Sequence, residues 1–141
     1  MIFQNLEVHL ERGTFKVPLN YSCKGKVSLV DIILPCINTK DKPNNSIQIS
    51  CDQIDATFEN PDRLLKRIYF DKLAVTNHCH FWEAKILDFK DLNSSDNFLH
   101  FKIERLNGHP IKFHRNVGDH RVFITLAYEN FENEHEKWTC V

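Results

Sequence analysis

The sequence predicts an all-β, antiparallel fold, and three observations predict it. Apolar and polar residues alternate in short runs, as where Leu99, Phe101 and Ile103 interleave with His100, Lys102 and Glu104. That is the period of a half-buried strand. Turn residues separate the runs. Asn107-Gly108 is the pair best suited to the positive φ angles of a tight type I′ hairpin turn. No long stretch carries the 3.6-residue apolar period of an amphipathic helix.

The strands follow in order. Leu6, Val8 and Leu10 alternate with Glu7 and His9, and Glu11-Arg12-Gly13 turns the chain. Phe15, Val17 and Leu19 form the second strand, where Pro18 cannot donate to a ladder and so marks an edge or an irregularity. Val27 to Pro35 is almost continuously apolar apart from Asp31. It reads as a strand buried on both sides, or as one with a bulge that shifts the alternation. A polar loop from Asn38 to Asn45 leads into Ile47, Ile49 and Cys51. Asn60-Pro61-Asp62 opens either a short helix or a turn before a strand ending at Ile68-Tyr69-Phe70, and β propensity favours the strand.

His80, Trp82, Ala84 and Ile86 share one face of the next strand, and Asp88 to Asn97 is a loop. From Phe98 to Tyr128, three strands are expected to form an antiparallel meander. They carry Leu99–Ile103, Ile111 with Phe113, and Val122, Ile124, Leu126 and Tyr128. The count is about eight, which fits a sandwich or a barrel. Eight strands in two facing sheets is the jelly-roll count, so the expected fold is a single eight-stranded antiparallel jelly-roll sandwich over residues 1–128. The alternation stops at Glu129. Residues 129–141 form an acidic C-terminal tail in which Glu129, Glu132, Glu134 and Glu136 accompany Phe131 and Trp138.

Composition bounds the function. The chain has 141 residues, is 42% hydrophobic and contains 11 Phe, enough for one domain with its own core. A net charge of −1 offers no basic field for wrapping nucleic acid. Lys40, Lys42, Arg63, Lys66 and Arg67 sit among acids and read as solvated surface. No run approaches the roughly 18 apolar residues of a membrane span, and no signal-peptide pattern opens the chain. The five Cys lack paired-knuckle spacing, so a reducing compartment with free thiols is expected.

Few residues suggest chemistry. His78-Cys79-His80 would point both imidazoles to one side of a strand, where they could pinch a zinc ion with Cys51 as a third ligand. The sequence places no third or fourth ligand nearby beyond the possibility of Cys51, no two-plus-two spacing is present, and a solvated or packed histidine pair is the expectation. There is no Gly-x-Ser-x-Gly elbow, no cysteine motif and no phosphate-cradling glycine loop. Neither catalysis nor a bound cofactor is expected.

Two segments resemble a known family. Ser46-Ile-Gln-Ile-Ser-Cys-Asp-Gln-Ile-Asp55 followed by Leu64-Leu65-Lys66-Arg67-Ile68, and the block from Phe101-Lys-Ile-Glu-Arg-Leu-Asn-Gly-His-Pro-Ile-Lys-Phe113 to Arg121-Val-Phe-Ile-Thr-Leu-Ala-Tyr128, resemble capsid proteins of Polinton/Maverick elements, adintoviruses and virophages. The likeness spans about Ser46 to Tyr128. It implies a penton: a minor capsid protein with a single jelly roll that forms homopentamers at icosahedral vertices. Its partners would be copies of itself and the major capsid protein, with no membrane and no specific nucleic acid. It would reside in the virion capsid after synthesis in the host cytoplasm or nucleus. Phe131 and Trp138 would then belong to an assembly tail. The alternatives are a lectin-like or tumour-necrosis-factor-like binding module, and a cupin-type metal enzyme.

Overall fold

The computed structural model describes residues 1–19, 25–35, 46–69, 72, 74–76, 79–93, 97–105, 108–111, 113 and 120–130. These residues form strands and turns, with no helix long and apolar enough to cross a membrane. The strands are β1 (Ile2–His9), β2 (Thr14–Pro18), β3 (Gly25–Pro35), β4 (Ser46–Cys51), β5 (Leu64–Tyr69), β6 (Ala74–Thr76), β7 (Cys79–Glu83), β8 (Lys90–Asp91), β9 (Phe98–Arg105) and β10 (Arg121–Asn130). Ten strands are thus described where eight were expected; β6 and β8 are too short to leave an alternation signal.

They make two antiparallel sheets. Sheet A runs β1-β10-β3-β7-β6, with β8 also paired to β3, and sheet B runs β2-β9-β4-β5. The inner faces supply one core. Leu99, Phe101 and Ile103 of sheet B and Val122, Ile124 and Leu126 of sheet A are each at most 1% exposed. These residues were expected to share a core, and they do, but from facing sheets. The expected meander does not exist: β9 pairs with β2 and β4, and β10 pairs with β1 and β3. Of the expected Ile111–Phe113 strand, Lys112 lies outside the described residues, as do residues 114–119 after it. Pro110 bridges to Glu104, Phe113 is also a bridge residue, and Ile111 and Phe113 pack against the core.

Local chemistry explains the elements. Arg12 and Gly13 both hold positive φ, 53° and 77°, the pair of angles a two-residue type I′ hairpin needs. Glu11 and Thr14 close that turn with reciprocal backbone hydrogen bonds of 3.0 Å. Pro18 ends β2, an edge strand, as a proline in a ladder requires. The apolar run in β3 carries the bulge: Asp31 faces Thr125 and Leu29 faces Leu126, which leaves Val30 as the extra residue. The bulge shifts the inward phase from Val27 and Leu29 to Ile32 and Leu34, all at most 2% exposed. Asn60-Pro61-Asp62 is a turn before a strand. The Asn60 carboxamide accepts from Leu64 N–H and donates to Leu64 C=O, both at 3.0 Å.

Two boundaries differ from expectation. β7 ends at Glu83, so Ala84 and Ile86 do not share its face, and Ile86 is 84% exposed. The cause is an excursion: Ala84 N–H still reaches Val30 C=O at 2.8 Å, then the chain leaves β3 until β8 rejoins it. At the other end β10 runs to Asn130, and Glu129 and Asn130 face Lys26 and Gly25. Regular structure thus continues two residues beyond Tyr128, because β3 is long enough to pair them.

Candidate functional site

His80 lies on the inner face of β7, opposite Leu34, and is 6% exposed. Burial pushes its imidazole below its ordinary pKa, and a hydrogen bond to the Pro35 carbonyl partly opposes that shift. This is a packed histidine held neutral. His78 lies outside the described residues. Cys51 is also interior, 1% exposed on β4. Burial raises its thiol to about 11, and its Sγ donates to Gln53 Oε1 at 3.6 Å. Among the described residues no three His, Cys, Asp or Glu side chains converge as a metal ion needs. Cys51 and Cys79 are both free thiols.

Polar residues gather instead on the outer face of sheet B. The register sets Lys16 of β2 opposite His100 of β9, and Thr14 opposite Lys102. His9 from the end of β1, and Asp52 just after β4, complete an open cleft of about 530 Å³. Gln53 fixes its floor. Its side-chain oxygen accepts the His100 N–H at 2.7 Å, and the neighbouring Asp52 N–H donates to His100 C=O at 3.1 Å. A second open depression, about 440 Å³, lies between Gln48, Arg67 and Glu104 on the same face. The sequence reading missed this cleft. Its charges come from strands far apart in the chain, and no local motif links them.

The basic residues divide by role. Lys66 sets its ammonium 5.6 Å from the Trp82 ring centroid, a cation–π contact from β5 of sheet B to β7 of sheet A. Arg63 holds φ 56° and donates to Asp52 C=O at 3.1 Å. Arg67 lines the second depression. Lys40 and Lys42 lie outside the described residues.

The outer face of sheet A is different. Phe123, Ile33 and Phe81 stand directly opposite one another across β10, β3 and β7. Together they form an apolar row on a face expected to be polar. Phe123 is 45% exposed, and Phe3 on the same face of β1 is 57% exposed. The sequence signal was there: each is a large apolar residue in the polar phase of its strand. Further along, Ser28 and Ala127 are fully buried. Ser28 Oγ accepts the Asp88 N–H at 2.9 Å, which holds the excursion after β7 against that part of the sheet. Phe131 and Trp138 lie outside the described residues.

No protein-family model matches the chain, and no curated protein matches it.

Proposed function

We propose that the chain is a single jelly roll that serves as a structural capsid subunit of the vertex, or penton, type. The observation that carries the reading is the strand order. Apart from the short strands β6 and β8, the sheets run β1-β10-β3-β7 and β2-β9-β4-β5. That order follows from folding a long hairpin in half and rolling it, with β1 against β10, β2 against β9, β3 against β7, and β4 against β5. Eight strands in two Greek keys have this wiring. The step from jelly roll to capsid rests on fold-level likeness, together with the resemblance carried by Ser46–Asp55 and Phe101–Tyr128.

The surface supports a protein partner. The Phe123–Ile33–Phe81 row, and Phe3 four residues further along the same face, opposite Ala127, expose aromatic area on a rigid sheet, a mark of interaction surfaces. In this reading neighbouring copies cover that row in a closed ring whose contacts are heterologous, and residues 131–141 reach the next capsomer through Phe131 and Trp138. The polar cleft around Lys16 and His100 favours a second reading, a jelly-roll binding module for a small anionic ligand.

Native mass spectrometry and light scattering test the first reading. A species of five times the chain mass of 16.6 kDa, which joins particles of the major capsid protein, is expected. A chain that stays monomeric at high concentration and fails to join them overturns it. Truncation after Asn130 should keep the melting temperature and weaken joining. A melting temperature raised by acidic glycans or polyphosphate, in a protein that does not assemble, would favour the binding module.

A further inference from the structure

Strands at the rim of a sheet expose backbone hydrogen-bonding groups, and proteins normally block them with short length, charge, proline or bulges. Of the four strands that end the two sheet paths, three are blocked. β2 has Lys16 and Pro18; β5 has Lys66, Arg67 and a register shift against β4; β6 has only three residues. β1 is not short, has no proline and no bulge, and carries a single formal charge. It is eight residues long and pairs with β10 without a shift in register. Among the described residues, β10 is its only ladder partner. Its one formal charge, Glu7, is already neutralised by Arg121 at 3.0 Å. Ile2, Phe3, Asn5, Glu7 and His9 are exposed along it.

We infer that β1 is a docking edge for β1 of a second copy, antiparallel about a two-fold axis that passes between the two Leu6 residues. A two-fold perpendicular to the sheet keeps inner faces aligned with inner faces, so opposed residues must have the same parity. Centring on Leu6 then sets the two Leu6 side chains together and Gln4 against Val8 on the inner side. On the outer side it sets Phe3 against His9, and Asn5 against Glu7. Each of the last two pairs occurs twice. The Asn5 oxygen accepts from Thr125 Oγ1 at 2.7 Å, so its amide N–H groups are the part presented to a carboxylate. No like charges are opposed. Centring one residue earlier would instead set Asn5 against itself, with donor facing donor. The strand therefore complements itself best in one register, which is why a second copy is the occupant.

This contact does not depend on the five-fold ring. Acting alone it yields dimers; acting with the ring it joins rings in pairs. Two variants of the full chain test it by analytical ultracentrifugation and native mass spectrometry. Asn5→Glu opposes two pairs of like charges and should raise the dissociation constant of the two-fold species about tenfold at low salt, with the effect fading at high salt. Adding Glu7→Lys turns both repulsions into attractions and should restore association. Circular dichroism melts identify folded variants, and Phe3→Lys, at an exposed position, serves if Asn5→Glu fails to fold. Association that ignores these substitutions in folded protein overturns the inference, as does a wild-type chain with no even-numbered species. A pentamer that never pairs would reject this edge contact and leave the ring; dimers without pentamers would do the reverse.

Discussion

Phe15 and Phe101 stack with ring centroids 5.1 Å apart and planes 13° from parallel, directly opposite each other on β2 and β9. The pair anchors the edge strand β2 to the core. Phe101→Ala should lower the unfolding free energy by about 3–5 kcal/mol. Phe15→Ala should cost less per atom, because an edge strand can relax. A double-mutant cycle by urea unfolding should return a coupling of about 0.5–1.5 kcal/mol.

Gly13 and Gly108 hold positive φ, and their surroundings rank them. A Cβ on Gly13 would meet the Ile103 backbone oxygen at 3.0 Å, whereas one on Gly108 would meet only the flexible Glu104 carboxylate at 3.5 Å. Both substitutions to Ala should incur the left-handed penalty of about 1–2 kcal/mol. Gly13→Ala should cost more, because a hairpin backbone must also shift. Thermal melts that ranked Gly108→Ala as the worse variant would contradict the turn geometry.

Two fully buried serines should respond in opposite ways. The Ser46 hydroxyl has no hydrogen-bond partner among the described residues, so Ser46→Ala should leave stability unchanged or raise it by up to about 1 kcal/mol. Ser28 Oγ accepts the Asp88 N–H. Ser28→Ala should therefore cost about 1–3 kcal/mol and loosen the excursion after β7, read as faster amide exchange at Asp88.

His80 sets a pH dependence with a definite sign. Its imidazole is depressed by burial, so below the unfolded value of about 6.5 the unfolded chain takes up a proton that the folded chain refuses. Stability falls as pH drops from that value until the folded group itself titrates. His80→Gln should flatten this part of the stability profile, measured by chemical denaturation at pH steps between 7 and 5.

Cys51, with a thiol raised to about 11 and fully buried, should resist alkylation at pH 8 until the chain unfolds. Half-buried Cys79 should label first. Peptide mapping after a short iodoacetamide pulse reads both. Equal labelling of the two in native protein would mean that β4 is not packed as described.

Much of the fold was legible because alternation reports faces. Leu99, Phe101 and Ile103 point inward as their spacing requires, and Pro18 announced an edge. Alternation does not report partners: it suggests one sheet for β9 and β10, which face each other across the core. Spacing of two also misleads at Ala84 and Ile86, where the run outlasts the ladder. The candidate site was less legible still. The cleft exists only because β2 and β9 align Lys16 with His100, and pairing of distant strands leaves no local trace. His80 could be read as a ligand or a core residue until its inward direction was known.

The nested pairing of the strands has a consequence for synthesis. Hairpin β4–β5 closes a short loop, whereas β1 waits for β10: Gln4 meets Tyr128, its hydrogen-bond partner, 124 residues later. At about 5–20 residues per second on the ribosome, that interval is roughly 6–25 s. Throughout it the strand with the least protected edge has no ladder at all. A nascent chain would be exposed to the nascent chains of neighbouring ribosomes through the same backbone groups that later meet a folded copy. Slow, long-range closure of this kind favours aggregation over folding when chains are crowded. Yield of folded protein should therefore rise when expression is slowed or cooled, and charge placed on β1 should raise it further.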